Sequence, residues 1–279
     1  MRICPGGLRE HEVRSNPGYT YMPQPIKLQF NKRRLAGFTG NQLKMIAFFL
    51  MLCDHIGYML IENGVLYGQN PVYWTMALET PEGQRWYMLA TVLRHIGRIA
   101  FPLFAYLTVE GCIHTGSMRR YILRMTLFAA LSEVPFDLAC KGVMFYPEYQ
   151  NTIWTLLLGV LSVAAMERAH RLHPVFRMMI AGIFCGLAYL FRTDYGAVGV
   201  ALISVMYLLR QERNFQLIAG AVISAAESIE MCGISALAFG LIRFYNGKRG
   251  DFPMKYFFYL AYPLHLMLFW ALVYTANRG

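Results

Sequence analysis

The sequence predicts an all-α integral membrane protein, a polytopic bundle of about nine transmembrane helices around a polar central cavity. Three observations lead there. Apolar residues make up 56% of the 279-residue chain and charged ones only 15%, where an ordinary soluble domain carries about 25% charged. The apolar residues gather into runs approaching the about 20 residues that a helix needs to cross a bilayer. The basic residues, although they leave a net charge of +10, sit in short clusters between those runs. That is the pattern of cytoplasmic loops, not of a nucleic-acid-binding face, so no nucleic-acid partner is expected.

Taken in order, residues 1–38 form a polar tail with Pro and Gly, ending in the basic stretch NKRRLAG. It is expected to be disordered and cytoplasmic, with no cleavable signal, and an early start codon would produce such a tail. Residues 39–279 form one transmembrane domain. Its candidate spans are 42–62, 86–113, 119–139, 150–167, 175–191, 194–210, 214–228, 231–246 and 255–275. The run 86–113 carries Gly97 and Pro102 and is expected to break or tilt. The stretch 210–235 divides into two short segments with Glu227 and Glu230 between them. The connections alternate in charge. Arg119 and Arg120, then Arg168, Arg171 and Arg177, then Arg210 and Arg213, then Lys248, Arg249 and Lys255 lie on one side, while the other holds only Arg85, Lys141 and Arg192. With Lys32, Arg33 and Arg34 ahead of the first span, the N-terminus is expected inside and the chain in the cell (inner) membrane. The cysteines (Cys4, Cys53, Cys112, Cys140, Cys185, Cys232) form no CxxC pair, so neither a metal site nor a disulfide framework is expected.

Ionisable groups nevertheless recur inside the runs: Lys44, Asp54, His55, Arg94, His95, Arg98, Glu110, Glu133, Asp137, Glu227 and His265. A charge at the centre of a membrane helix costs about 2.5–3.5 kcal/mol on insertion scales, so such groups usually face a cavity and work there. Lys44 and His55 are eleven residues apart. At about 100° per residue they share a helix face, about 16 Å apart along the axis. A cation at the cytoplasmic end suits a phosphate-bearing cofactor, although alone it reads as an interfacial lysine. A histidine deeper in suits proton transfer. Asp54 is expected to pair with Arg94 or Arg98. Those two arginines share a face and suit either an anion or the carboxylates Asp54, Glu110, Glu133 and Asp137. Pro135, between Glu133 and Asp137, and Pro263, before His265, are expected to open or kink their helices. His265 is a second acid–base candidate or a plain hydrogen-bonding partner.

Seven stretches, LKMIAFFLMLCDHIG, HIGRIAFPLFAYLTVEG, SEVPFDLA, QNTIWTLLLG, TDYGAVGVALI, FYNGKRG and KYFFYLAYPLHL, together resemble the TraX family, which includes the conjugative-pilin acetylases. They run in the family's order over about residues 39–268. The resemblance implies a membrane N-acetyltransferase using acetyl-CoA as co-substrate, surrounded by membrane lipids and acting in the conjugative members on the N-terminal amine of pilin; for this chain the acceptor, a peptide, lipid or glycan, stays open. The basic residue, ten others and a histidine also resemble the type-3 membrane acyltransferases. That likeness implies His55 as catalytic base and Lys44 at the acyl-CoA phosphates. Read from their own placement in the runs, Asp54, Arg98 and Glu110 are further catalytic candidates, and Arg94 and His95 further candidates on the cofactor side. Glu133, Asp137, Asp194, Tyr195, Asn246 and His265 complete the expected polar network. No Ser–His or Cys–His nucleophile pattern is evident, so direct transfer is the simpler chemistry. The competing readings are a proton-coupled or small-solute transporter built on the same buried charges, and an assembly protein with a purely structural polar core.

Overall fold

The computed structural model describes residues 37–250 and 255–276, all of them in one compact unit spanning Leu35–Gly279. The expected disordered tail therefore lies outside the described residues except for Gly37 and Phe38. The described chain is helical, with two isolated bridges and no strand. Helix α1 (Gly40–His55) starts on a capping box, in which Thr39 Oγ1 accepts from the Gln42 amide and the Gln42 side chain accepts from the Thr39 amide. Its next two amides are taken by the segment FYNGKRG, where Gly40 donates to the Lys248 carbonyl at 2.8 Å and Asn41 to that of Arg249 at 2.9 Å. After His55 the chain widens into a π-helical stretch, Ile56–Val65. Then come α2 (Pro71–Glu79) and α3 (Pro81–Gly97), each with proline in its first turn and a cap ahead of it, Asn70 and Thr80.

The broken run appears as α3 followed by α4 (Ala100–His114), with the break at Arg98 and Ile99. Pro102 falls in the first turn of α4, where an amide would have no partner, so it ends nothing. Helices α5 (Met118–Lys141), α6 (Thr152–Arg168), α7 (Pro174–Leu190), α8 (Gly196–Leu208) and α9 (Arg213–Glu227) follow the expected runs. The run 231–246 does not form one helix. It divides into two 3₁₀ turns, Ile229–Met231 and Ile234–Leu237, and the short α10 (Ala238–Arg243). The chain ends in α11 (Lys255–Ala276). Helices α5 and α11 both continue through their prolines, so Pro135 and Pro263 do not terminate them.

Three stretches are long and apolar enough to cross a membrane: Gly40–Val65, Pro81–His114 and Phe257–Ala276. Helices α7 and α8 and the segment Ile234–Arg243 are apolar but shorter. The outward face of α11 shows what such a helix meets, since Leu260, Leu264, Leu268 and Leu272 form an exposed row while Tyr262, Leu266 and Phe269 face inward. An apolar row on a long apolar helix belongs in lipid.

One core cluster joins α1, α4, α6, α8 and α10 through Leu43, Phe101, Leu103, Val160, Ile203 and Ile242. A second joins the π-helical stretch to α5, α6 and α11 through Met59, Met125, Ile153, Tyr262 and Leu266. The first helix crosses α3 closely. A Cβ on Gly97 would lie 2.7 Å from Asp54 Cα, and one on Gly57 would lie 3.0 Å from the Ala90 carbonyl oxygen. Backbone approach of this kind needs glycine and is how membrane helices gain packing contact. Gly97→Ala is therefore expected to destabilise the detergent-solubilised protein by about 1–3 kcal/mol. Gly182→Ala, where a Cβ meets nothing within 4 Å, should be neutral or stabilising by up to about 1 kcal/mol. Thermal unfolding followed by gel filtration checks the pair, and equal midpoints would rule out the crossing as a tight contact.

Candidate functional site

The crossing sets one wall of a cavity of about 510 Å³. Phe48, Met51, Asp54, His55 and Tyr58 line it from the first helix, and Arg94, Gly97 and Arg98 from the end of α3. Phe101 and Phe104 come from α4, Phe128, Phe136 and Cys140 from α5, Thr152 from α6, and Phe258 and Tyr262 from α11. Lys141, at the end of α5, Tyr146, Glu148 and Tyr149, from the segment before α6, and Asp194 and Tyr195, from the turn before α8, add to its polar part. Apolar and aromatic walls with a few convergent polar groups are the usual make-up of a small-molecule site.

His55 and His265 meet here across 210 residues. His55 Nδ1 lies 2.7 Å from His265 Nε2, and the rings are nearly parallel, with 5.0 Å between centroids and 11° between planes. His265 Nδ1 in turn lies 2.8 Å from the Ala261 carbonyl oxygen, and Tyr262 stands edge-on to both rings. The two candidate acid–base histidines are thus one connected pair.

The arginines find partners other than those expected. Arg94 pairs with Glu62 at 2.9 Å and lies over the Tyr58 ring. Arg98 donates to the Tyr195 hydroxyl at 3.4 Å and lies over that ring, which itself stacks on Phe101 at 3.7 Å. Asp54 lies within electrostatic reach of both arginines, yet its Oδ1 is buried without a hydrogen-bond partner among the described residues. The expected Asp54–arginine ion pair is therefore not made. Glu62 lies in the π-helical stretch, where regular α-helical phase extrapolated from His55 no longer assigns faces correctly.

Asp194 is the most heavily bonded carboxylate. It accepts from the Tyr149 hydroxyl at 2.6 Å, the Thr152 hydroxyl at 2.5 Å and the Tyr195 amide at 3.1 Å, while its carbonyl accepts from Thr155. The turn that presents it puts both Arg192 and Tyr195 in the left-handed region, with φ of 51° and 62°. Burial and the neighbouring carboxylate hold the Tyr149 hydroxyl above the ordinary phenol range, so it stays protonated and donates.

The other expected residues lie elsewhere. Glu110 sits beside His114, at 3.8 Å, within a cluster with Tyr106, Tyr245 and Arg213, and does not line the cavity. Glu133 accepts from Asn151 and from Trp154 Nε1, and Asp137 accepts from the Tyr146 amide at 2.7 Å. Neutral donors reach one oxygen of each and leave Glu133 Oε1 and Asp137 Oδ1 buried without a hydrogen-bond partner among the described residues, and neither Arg94 nor Arg98 pairs with them. His95 turns back onto the Thr91 carbonyl of its own helix. Asn246 donates to the Gly37 carbonyl, tying the FYNGKRG segment to the start of α1. Lys44 lies outside the cavity lining and within electrostatic reach of Arg249. Tyr58, Glu62, Tyr149, Thr152 and Tyr262 went unnoticed in the sequence. Only Thr152 and Tyr262 carried a signal there, through their places in QNTIWTLLLG and YLAYPLHL.

The Asp194 cluster generates a stability prediction. Asp194→Ala strands two hydroxyls and an amide and should destabilise the protein by about 3 kcal/mol or more, and Tyr149→Phe by about 1–3 kcal/mol. The double variant should fall short of the sum by about 0.5–3 kcal/mol in denaturant unfolding. Strict additivity would show that the two side chains do not act together.

The model of the family described as TraX protein matches residues 39–273. The "Probable fimbrial assembly protein FimC, serogroup H1" of Dichelobacter nodosus is 26% identical over 261 residues, covering 83% of this chain and 94% of the relative. No solved structure matches the chain. The match spans well over half of the sequence and contains every residue of the cavity, and the chain belongs to the TraX family.

Proposed function

We propose that this chain is a membrane-embedded acyltransferase that moves acetyl from acetyl-CoA to an amine or hydroxyl, such as a peptide N-terminus, with His55 as general base. The observation that carries the reading is His55, held by His265 and lining a cavity rich in aromatic side chains, in a chain of this family. The cavity has room for the thioester end of the donor and the acceptor group, while the nucleotide would remain outside. Helix α1 runs unbroken from Gly40 to His55, which supports the common face expected of Lys44 and His55 from their spacing. Phe48 and Met51, which lie between them, line the cavity. The donor's phosphates would sit at Lys44 with Lys248 and Arg249, and its pantetheine arm would run along the Phe48 face.

In the reaction His55 takes a proton from the acceptor as its nitrogen or oxygen attacks the thioester carbonyl. The new C–N or C–O bond forms, the C–S bond breaks, and the proton passes to the departing sulfur, releasing CoA as free thiol. Asp54, with its uncommitted oxygen, is placed to accept a hydrogen bond from the acceptor. The charge alternation of the connections supports a multi-pass chain in the inner membrane with the N-terminus inside. In that topology His55 lies in the outer half of the membrane. A pilin-type N-terminus is the acceptor suggested by the name of the fimbrial relative.

The break at Arg98 between α3 and α4 favours one other reading, a transporter whose broken helix exposes charge to a solute path. Thioester turnover separates the two. Purified protein in nanodiscs is expected to release thiol from acetyl-CoA, and His55→Ala to lose at least about 10²-fold of that rate. Lys44→Gln should raise KM for acetyl-CoA with kcat nearly unchanged. Failure of the wild type to bind acetyl-CoA in calorimetry would overturn the acyltransferase reading and favour the transporter.

A further inference from the structure

His55 has two ring nitrogens, and a general base needs a lone pair on the one that faces its substrate. Which nitrogen that is follows from the hydrogen bonds of the pair. The Ala261 carbonyl oxygen can only accept, so the 2.8 Å contact requires a proton on His265 Nδ1. A neutral His265 then carries its lone pair on Nε2. The 2.7 Å contact with His55 Nδ1 must be an N–H···N bond, because two lone pairs would repel at that distance. The proton in that bond therefore belongs to His55 Nδ1. A charged His265 would reverse the bond. The ring, however, is 8% exposed and packed against Phe48, Tyr262 and Phe269, and no carboxylate pairs with it among the described residues. Such surroundings disfavour a cation.

We infer that His265 is a positioning residue that holds the neutral His55 ring in the tautomer with its proton on Nδ1, so that Nε2 is the basic atom offered to the cavity. His55 Nε2 has no hydrogen-bond partner among the described residues, and His55 lines the cavity. The bond also serves after proton transfer. When Nε2 takes a proton, the His55 imidazolium keeps donating from Nδ1 to the His265 lone pair, with no ring rotation. A neutral imidazole backed by a main-chain carbonyl thus does the orienting that a carboxylate does in serine-protease triads. The catalytic consequence rests on His55 being the base, whereas the tautomer itself does not.

The test uses full-length protein in lipid nanodiscs, with its seven histidines labelled with ¹⁵N. His55 is assigned as the signal lost in His55→Gln, and spectra are taken at pH 8. The expected wild-type His55 has a protonated Nδ1 and an unprotonated Nε2. In His265→Leu that single form should be lost and an Nε2-protonated form should appear. In His265→Gln, whose carboxamide oxygen accepts, the original form should return. Gel filtration confirms that each variant is folded. A wild-type His55 protonated on Nε2, or a His265→Leu variant with unchanged His55 signals, would overturn the inference. Leu and Gln variants that behave alike would also overturn it, by assigning the effect to lost packing. In the same samples, thiol release should fall about 10²-fold in His265→Leu with KM for acetyl-CoA unchanged. A wild type that neither binds nor turns over acetyl-CoA would remove the acyltransferase reading and leave the tautomer result standing.

Discussion

The close crossing of the first helix over α3 is the contact on which the candidate site depends. Two glycines, Gly57 and Gly97, remove the side chains that would hold the helices apart. Asp54 and His55 on one helix and Arg94 and Arg98 on the other then share a single wall. In lipid no hydrophobic gain draws one apolar helix to another, so packing and polar contact must do it. Small residues allow the approach, and the buried polar groups around them make it specific. The break after Gly97 adds to this. It ends α3 where Arg98 turns towards Tyr195, so the arginine reaches the turn before α8 rather than the carboxylate beside it.

Around that wall the charges divide into satisfied and waiting groups. Arg94 with Glu62, and Asp194 with Tyr149 and Thr152, are closed sets that give the cavity its shape. Rings laid under the guanidinium groups, Tyr58 under Arg94 and Tyr195 under Arg98, replace part of the lost solvation. Asp54 Oδ1 differs, being buried, close to two cations and not bonded to either. A buried carboxylate oxygen without a donor is costly unless something else supplies one. Its position beside His55 makes the cavity's ligand the natural supplier. A hydrogen-bonded ring and an unpaired carboxylate oxygen therefore occupy neighbouring residues of one helix on the cavity wall.

Most of the architecture was legible along the chain. Composition and run length announced a helical membrane protein, and the TraX motifs announced the family that the match over residues 39–273 shows. The helices sit where the apolar runs lie, except for α2 (Pro71–Glu79), which no run covers, and across 231–246. Cys232 and Gly233 there, both in the left-handed region, break the run into short turns, and the apolar character of the run gives no sign of the break. The candidate site was legible only in part. His55 stood out because a titratable ring in an apolar run is expensive, and Lys44 because a helix repeats its face after eleven residues. The assignment of partners was not legible. Arg94 chose Glu62, and Glu110 joined Tyr106 and Tyr245.

The sequence by itself determined that this chain is helical and built for a membrane, that it is a TraX protein, and which residues are too polar to be idle in lipid. These properties are local, carried by composition, period and motif, and each is present before any two helices meet. Only the tertiary structure decided who faces whom. The His55–His265 bond joins positions 210 residues apart. The Asp194 cluster joins three connected segments, and the phase of Glu62 depends on a π-helical turn. Which buried groups pair depends on helix rotation and crossing, and a shift of one residue turns a helical side chain by about 100°. Local sequence cannot specify that rotation. Close packing at Gly57 and Gly97 does.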